Sequence, residues 1–334
     1  MIIIIWGSRI EKFKAAYFFF FYTLVGSLLL LIAILYLYHE VGTTSWYLLL
    51  FIKKNSSKNI FIIIIIAFFI KIPLIPFHSW LPLAHVEAPI SGSILLAGIL
   101  LKIGGYAIFR YGLSIFFYEA FYYKSIILLL SLITIIYGSF LTIRQVDFKK
   151  MIAYSSVSHM GFVVLGLFSF SNIGIISSFI IMLSHGFTSS ILFILVTLLY
   201  NRFHTRIIRF YKGLICLMPI FSFFLFFTIL FNISFPFSLN FWGELFIFKS
   251  LSKTFNFFFI LVVVSTIFFS SIYSFLIYNR SCFGILSNNI FLARDLDKNE
   301  VYSLLFFFFP LVFFSIYPIF IVDNINVNIN YILI

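Results

Sequence analysis

The chain has 334 residues, 63% of them hydrophobic and 10% charged, with a mean hydropathy of +1.16, which excludes a soluble globular domain and indicates a polytopic integral membrane protein. The net charge of +12 does not point to nucleic acid, because the basic residues sit in short loops between apolar runs rather than on one polar face. Cys216 and Cys282 are far apart and have no neighbouring ligand set, so neither a metal site nor a disulfide framework is expected. The 51 phenylalanines, with frequent isoleucine and asparagine, fit the codon bias of an AT-rich, organellar genome. No cleavable leader is evident, since residues 1–5 run straight into Trp6 and Gly7.

Apolar periodicity predicts an all-α bundle of about nine spans, at 15–38, 60–83, 90–111, 125–143, 151–170, 173–200, 214–250, 256–278 and 301–322. The spans at 60–83 and 214–250 are expected to be broken, and a polar loop is expected at 279–300. Residues 1–14 read as a helix end and basic loop, 15–322 as one membrane domain and 323–334 as a tail. Spans one to three and six to eight share the order whole, broken, whole, which suggests an internal repeat with Lys71 and Glu244 at equivalent positions.

Alternating the loops between two faces puts thirteen basic residues on one face, among them Arg9, Lys12, Lys149, Arg206 and Lys298. Seven fall on the other: Lys53, Lys54, Lys58, Arg110, Lys124, Lys249 and Lys253. The richer face is expected on the cytoplasmic or matrix side, and the C-terminus opposite to it.

Lys71 and Lys102 belong to neither face. Lys71 follows the apolar run from Asn59 by twelve residues, about 18 Å of helix, and Lys102 lies about 20 Å beyond Pro89 and about 12 Å before Arg110. Both therefore fall near the middle of a hydrocarbon layer about 30 Å thick. A lysine facing lipid at that depth costs about 3 kcal/mol or more, so each is expected to face a protein interior or a hydrated cavity. Pro73, Pro76 and Pro82 break the helix beside Lys71 and free backbone carbonyls that lipid cannot satisfy. Broken helices beside midplane charges suggest an ion path; the plainer reading is a structural buried ion pair.

The second break, NISFPFSLNFWGELF at 232–246, carries Glu244 beyond Pro236, and the plainer reading there is pairing with Lys249. His159 and His185 lie in apolar spans beside serine, threonine and glycine, where water could enter. A lone membrane histidine is usually a packing residue, but imidazole titrates near neutral pH and two of them between Lys102 and Glu244 suit a proton relay. His85 and Glu87 fall in the connection AHVEAP, where ordering the loop is as good an explanation as proton exchange. His78, between the prolines, is a further secondary candidate.

The run KIPLIPFHSWLPLAHVEAPISGSILLAGILLKIGGYAIFR at 71–110 resembles the signature of the antiporter-like membrane subunits of NADH:ubiquinone oxidoreductase, respiratory complex I. FYTLVGSLLLLI at 21–32, RQVDFKKMIAYSSVSHMGFVV at 144–164, SHGFTSSILF at 184–193 and WGELF at 242–246 extend the resemblance over nearly the whole chain. HVEAPISGS and the short spacing from Lys71 to Lys102 favour the chain 4 branch. The resemblance implies an antiporter-like fold and a hydrophilic axis of Lys71, Lys102, His159, His185 and Glu244 that transfers protons. It also implies a mitochondrial inner-membrane location, other membrane-arm subunits and lipids as partners, and no cofactor on this chain. NADH, FMN, iron-sulfur clusters and ubiquinone are expected on other subunits.

One departure stands out. Family members carry about five further N-terminal helices, the fifth bearing a glutamate that pairs with the first lysine, whereas IIIIWG at 2–7 resembles only the tail of that helix. The partner of Lys71 is expected from another polypeptide or from sequence upstream; the alternative is that this half-channel is lost. Alternatives are a subunit of a multi-subunit cation/proton antiporter or membrane-bound hydrogenase, or a scaffold that conducts nothing. Five midplane polar residues argue against the scaffold, because each destabilises a helix in lipid.

Overall fold

The computed structural model describes residues 2–6, 11–52, 58–252, 257–285 and 294–333. Arg9, Lys53, Lys54 and Lys253 of the orientation argument, Gly7 of IIIIWG, Asn256 of the eighth expected span and residues 286–293 of the expected polar loop lie outside them. The described residues form helices with one isolated antiparallel bridge and no strand.

The helices are α1 (Ile2–Trp6), α2 (Lys12–Val41), α3 (Trp46–Ile52), α4 (Lys58–Lys71), α5 (Trp80–Glu87), α6 (Ile90–Leu95) and α7 (Leu101–Ala107). There follow α8 (Phe117–Tyr122), α9 (Lys124–Arg144), α10 (Phe148–Leu167), α11 (Asn172–Phe203), α12 (Leu214–Leu217) and α13 (Pro219–Asn232). The chain closes with α14 (Leu239–Ser252), α15 (Phe257–Cys282), α16 (Lys298–Ile316) and α17 (Ile319–Leu333). π-helical turns at Leu96–Leu100 and Ile108–Leu113 join α6 and α7 into one run that ends at Leu113.

Every expected span has a helical counterpart, but the count of nine is not reproduced by length and apolarity. Among the described residues, six helices are long and apolar enough to cross a membrane: α2, Ile90–Leu113, α9, α11, Val262–Cys282 and α16. The two broken spans fall short because each is cut into pieces, and α10 is made polar by Lys149, Lys150, His159 and a run of serines. The last expected span is divided at Tyr317–Pro318, and most of the expected tail is helical as part of α17. The short helices α3 and α8 were not expected from periodicity.

α10 and α11 form the centre and are buried along nearly their whole length. They approach their neighbours through small residues: a Cβ on Gly161 would lie 2.6 Å from both Ile135 Cγ1 and Thr134 Oγ1 of α9. α2 is the opposite case. It buries only Ala15, Gly26 and Ala33 and exposes Phe20, Leu28, Leu31 and Leu35, as a helix facing lipid does.

Both breaks are held by polar groups that replace lost helical bonds. After α4, Leu74 N donates to Phe69 O at 3.3 Å, and Trp80 Nε1 donates to Ile70 O at 3.0 Å. Between α13 and α14, Asn240 Nδ2 donates to Phe231 O at 2.9 Å, Phe235 N to Leu230 O at 3.1 Å, and Phe241 N to Ser238 Oγ at 3.2 Å. Thus side chains on the far limb of each break close the near limb.

One end of the bundle is tied by Phe148 N to Arg206 O and Ile208 N to Val146 O, both at 3.0 Å, and by the Arg202–Glu300 ion pair. The opposite end holds its cations on aromatic rings, with Arg110 3.7 Å from the centre of Trp46 and Lys58 4.1 Å from that of Tyr122.

Candidate functional site

Lys71 closes α4, and the backbone break that follows is pressed against α7. A Cβ on Gly104 would lie 2.6 Å from Ile72 Cγ1 and 3.3 Å from both Ile72 N and Lys71 Cβ. Gly104 is two residues beyond Lys102, so the two lysines stand at the same height on adjacent helices. Their side chains diverge. Lys71 lines a cavity of about 390 Å³ walled by Ala33 and Leu37 of α2, Leu49 of α3, Phe68 of α4, and Ile103 and Tyr111. None of the described residues gives Lys71 a hydrogen bond or ion pair.

Lys102 points to the bundle centre. Its Nζ donates to Ala97 O in the π-helical turn and lies 3.0 Å from His185 Nδ1. A charged ammonium has no lone pair, so Nδ1 must accept; a neutral amine can instead accept from a protonated Nδ1. One contact therefore accommodates the proton on either partner. The His185 ring lies 5.2 Å, centre to centre, from that of His159, whose two nitrogens have no hydrogen-bond partner among the described residues. Both imidazoles are buried.

His85 departs from its reading as a loop residue. It lies in the last turn of α5, is fully buried, stacks on Phe193 with ring centres 4.5 Å apart, and comes within electrostatic range of Lys102, Lys149 and His185. Glu87 is drawn into a buried ion pair with Arg206 at 3.4 Å, which supports its structural reading. Lys149, counted from the sequence as a loop cation, is only 3% exposed and donates to Ala88 O at 3.2 Å. Glu87, Lys149 and Arg206 line a cavity of about 520 Å³ at the tied end of the bundle.

Glu244 is buried in α14. Among the described residues no ion pair joins it to Lys249. Lys71 ends the helix before its break whereas Glu244 lies within the helix after its break, so the two charges are not at matching points of the two broken helices. Ser234 lies beside Glu244, and Tyr273 of α15 comes within range of Glu244, Asn232 and Ser158. Asn232 in turn lies beside His159. His78 stands apart, with its ring centre 5.9 Å from Tyr137 and 6.4 Å from Tyr154.

Lys102, His185, His159 and their near neighbour His85 are thus brought together, Glu244 lies beside Ser234 and within electrostatic range of Tyr273, and Lys71, His78 and Glu87 have separate surroundings. Asn232 and Tyr273 escaped the sequence reading. The break at 232–238 could have flagged Asn232, but a tyrosine among the phenylalanines of α15 carries no signal. Among the described residues no group of three or more histidine, cysteine, aspartate or glutamate side chains could hold a metal ion.

A buried helix pair is flanked by two broken helices, with lysines, histidines and a glutamate in the interior. The family described as NADH:quinone oxidoreductase/Mrp antiporter, TM, matches residues 1–270, and the chain belongs to that family. It is 46% identical over 257 residues to NADH-ubiquinone oxidoreductase chain 4 of Chondrus crispus, covering 75% of this chain and 51% of the relative. For chain 4 of Metridium senile the identity is 45% over 260 residues, covering 77% and 52%. The chain spans about half the length of these curated relatives. A chain of respiratory complex I from Thermus thermophilus with bound NADH superposes with a TM-score of 0.91 at 25% identity, over 99% of this chain and 72% of that one. A chain of the Mrp complex from Dietzia sp. DQ12-45-1b shares the fold, with a TM-score of 0.88 at 16% identity over 98% and 69%.

Proposed function

We propose that this chain is a proton-translocating membrane-arm subunit of NADH:ubiquinone oxidoreductase in the mitochondrial inner membrane. The observation that carries the reading is the Lys102–His185 contact inside a buried bundle, supported by the identity to chain 4 relatives. On this reading the chain holds no redox centre. NADH, FMN, iron-sulfur clusters and ubiquinone belong to other subunits, and the free energy of their reaction reaches this chain as a change in the charge around Lys71 and Lys102.

Lys102, His185, His159 and Glu244 carry the proton, with His85 as a branch towards the tied end. Lys71, facing its own cavity, takes a carboxylate from elsewhere in the assembly as its counter-ion. Other membrane-arm chains and lipid are the partners. The basic tied end faces the matrix and the C-terminus the intermembrane space. Residues 15–322 form the conducting domain.

The test is proton uptake by vesicles carrying the assembled complex. Lys102→Ala and Glu244→Ala are expected to abolish uptake driven by NADH oxidation; normal uptake in assembled variants overturns the reading. The shared fold of the Mrp complex keeps a second reading, a cation/proton antiporter subunit. Co-purification with redox subunits favours the first, and co-purification with other antiporter chains alone favours the second.

A further inference from the structure

The cavity of about 520 Å³ at the tied end of the bundle lies apart from the Lys102–His185 contact. It forms where four segments end or begin: α5 stops at Glu87, the run Ile90–Leu113 starts, α10 starts at Phe148 and α11 stops at Phe203. Lys149 and Tyr200 each stand within one helical turn of those ends, so the cavity lies at headgroup depth rather than in the hydrocarbon layer. Glu87, Ser91, Ile94, Lys149, Asn201 and Arg206 line it, and it is open on one side.

The charge of its wall is unbalanced. Arg206 and Glu87 offset each other as an ion pair at 3.4 Å, and the Tyr200 ring lies 4.7 Å from the guanidinium. Lys149 is within electrostatic range of both, yet it forms no ion pair among the described residues, and its hydrogen bond there goes to Ala88 O at 3.2 Å. An ammonium carries three donors. Lys149 and Arg206 are only 3% and 4% exposed, and cations so buried are costly without an anion beside them. The wall therefore holds one net positive charge, with further donors on Ser91 and Asn201.

The surface below the mouth points to the source of the anion. Ser91, Leu95 and Ile99 are spaced four residues apart on the run Ile90–Leu113 and all are exposed, Leu95 at 52% and Ile99 at 56%. They present about 12 Å of outer face that descends from the cavity into the hydrocarbon layer, the course of an acyl chain below a headgroup at that depth. A free phosphate or an acidic peptide makes no use of that face.

We propose that this cavity binds the phosphodiester of one anionic phospholipid, with Lys149 and Arg206 on the phosphate, Ser91 and Asn201 donating to its remaining oxygens, and an acyl chain against Leu95 and Ile99. A phosphodiester carries one negative charge and matches the one positive charge left on the wall. A phosphatidylcholine adds a quaternary ammonium beside two cations and is held less tightly. The inference goes beyond the function proposed above and does not depend on it.

The test uses the assembled complex, stripped of loosely held lipid in detergent and supplied with phosphatidylglycerol that bears a photoreactive diazirine on one acyl chain. Irradiation is expected to label the segment 91–103. Lys149→Gln removes a cation, and Ser91→Phe closes the mouth while keeping both cations; each is expected to lower the labelling about tenfold. Lys212→Gln, which removes an exposed cation outside the cavity at the same end, is expected to leave it unchanged. The matching phosphatidylcholine probe is expected to label weakly. Absence of labelling in the wild type, equal labelling by the two lipids, or full labelling in either cavity variant overturns the proposal. So does labelling abolished by millimolar inorganic phosphate, the result for a cavity that takes a free anion, and so does a high-resolution map in which another subunit's side chain fills the cavity.

Discussion

Lys102 and His185 are 83 residues apart in the chain, and Lys102 Nζ lies 3.0 Å from His185 Nδ1. The contact exists because the π-helical turn at Leu96–Leu100 presents Ala97 O to the lysine, while α11 brings the imidazole in from the other side. Replacing His185 with alanine removes one of the two partners of a buried lysine. His185→Ala is therefore expected to lower proton uptake at least tenfold and also to destabilise the bundle by about 1–3 kcal/mol. His185→Gln, which keeps an acceptor that cannot titrate, is expected to recover the stability and not the uptake. Thermal unfolding of the purified complex and vesicle assays separate the two effects.

Glu244 is buried in α14 without an ion pair to Lys249. Glu244→Gln retains the shape and removes the titrating group, so uptake is expected to fall at least tenfold with assembly unchanged. Full uptake with glutamine would exclude proton carriage by this side chain.

Gly104 is the point where α7 meets the first break. A Cβ there would approach Ile72 Cγ1 to 2.6 Å, with Ile72 N also close at 3.3 Å. Backbone cannot yield as a flexible side chain can, so Gly104→Ala is expected to cost about 1–3 kcal/mol. The drop in melting temperature of the solubilised complex measures it.

Trp80 replaces a lost helical donor by giving its indole N–H to Ile70 O. Trp80→Phe leaves that buried carbonyl without this donor, at an expected cost of about 1–3 kcal/mol. Trp80→Tyr does not reach with the same geometry and is expected to behave as phenylalanine does. The fraction of assembled complex on native gels checks both.

The buried pair of Arg206 and Glu87 predicts non-additivity. Arg206→Met alone leaves the Glu87 carboxylate buried and is expected to cost about 3–5 kcal/mol, whereas adding Glu87→Leu is expected to recover most of it. A double-mutant cycle on unfolding free energy shows whether the coupling is there.

The sequence by itself determined the membrane class, the position of every helix that fills an expected span and both breaks, and it singled out Lys71, Lys102, His159, His185 and Glu244 as candidates. These were legible because burial in lipid makes each charge and each proline conspicuous against an apolar background. Only the tertiary structure decided which of them meet. It joined Lys102 to His185, sent Lys71 into a separate cavity, buried Lys149 and Arg206 although both follow from the sequence as loop cations, and lifted His85 from a loop into the core. Tyr273 came within electrostatic range of Glu244, and beside Asn232, in the same way. The reason is physical: depth along one helix follows from 1.5 Å per residue, but the direction a side chain faces depends on how neighbouring helices pack, and that is set where small residues such as Gly104 and Gly161 meet residues distant in the sequence, Ile72 and Ile135.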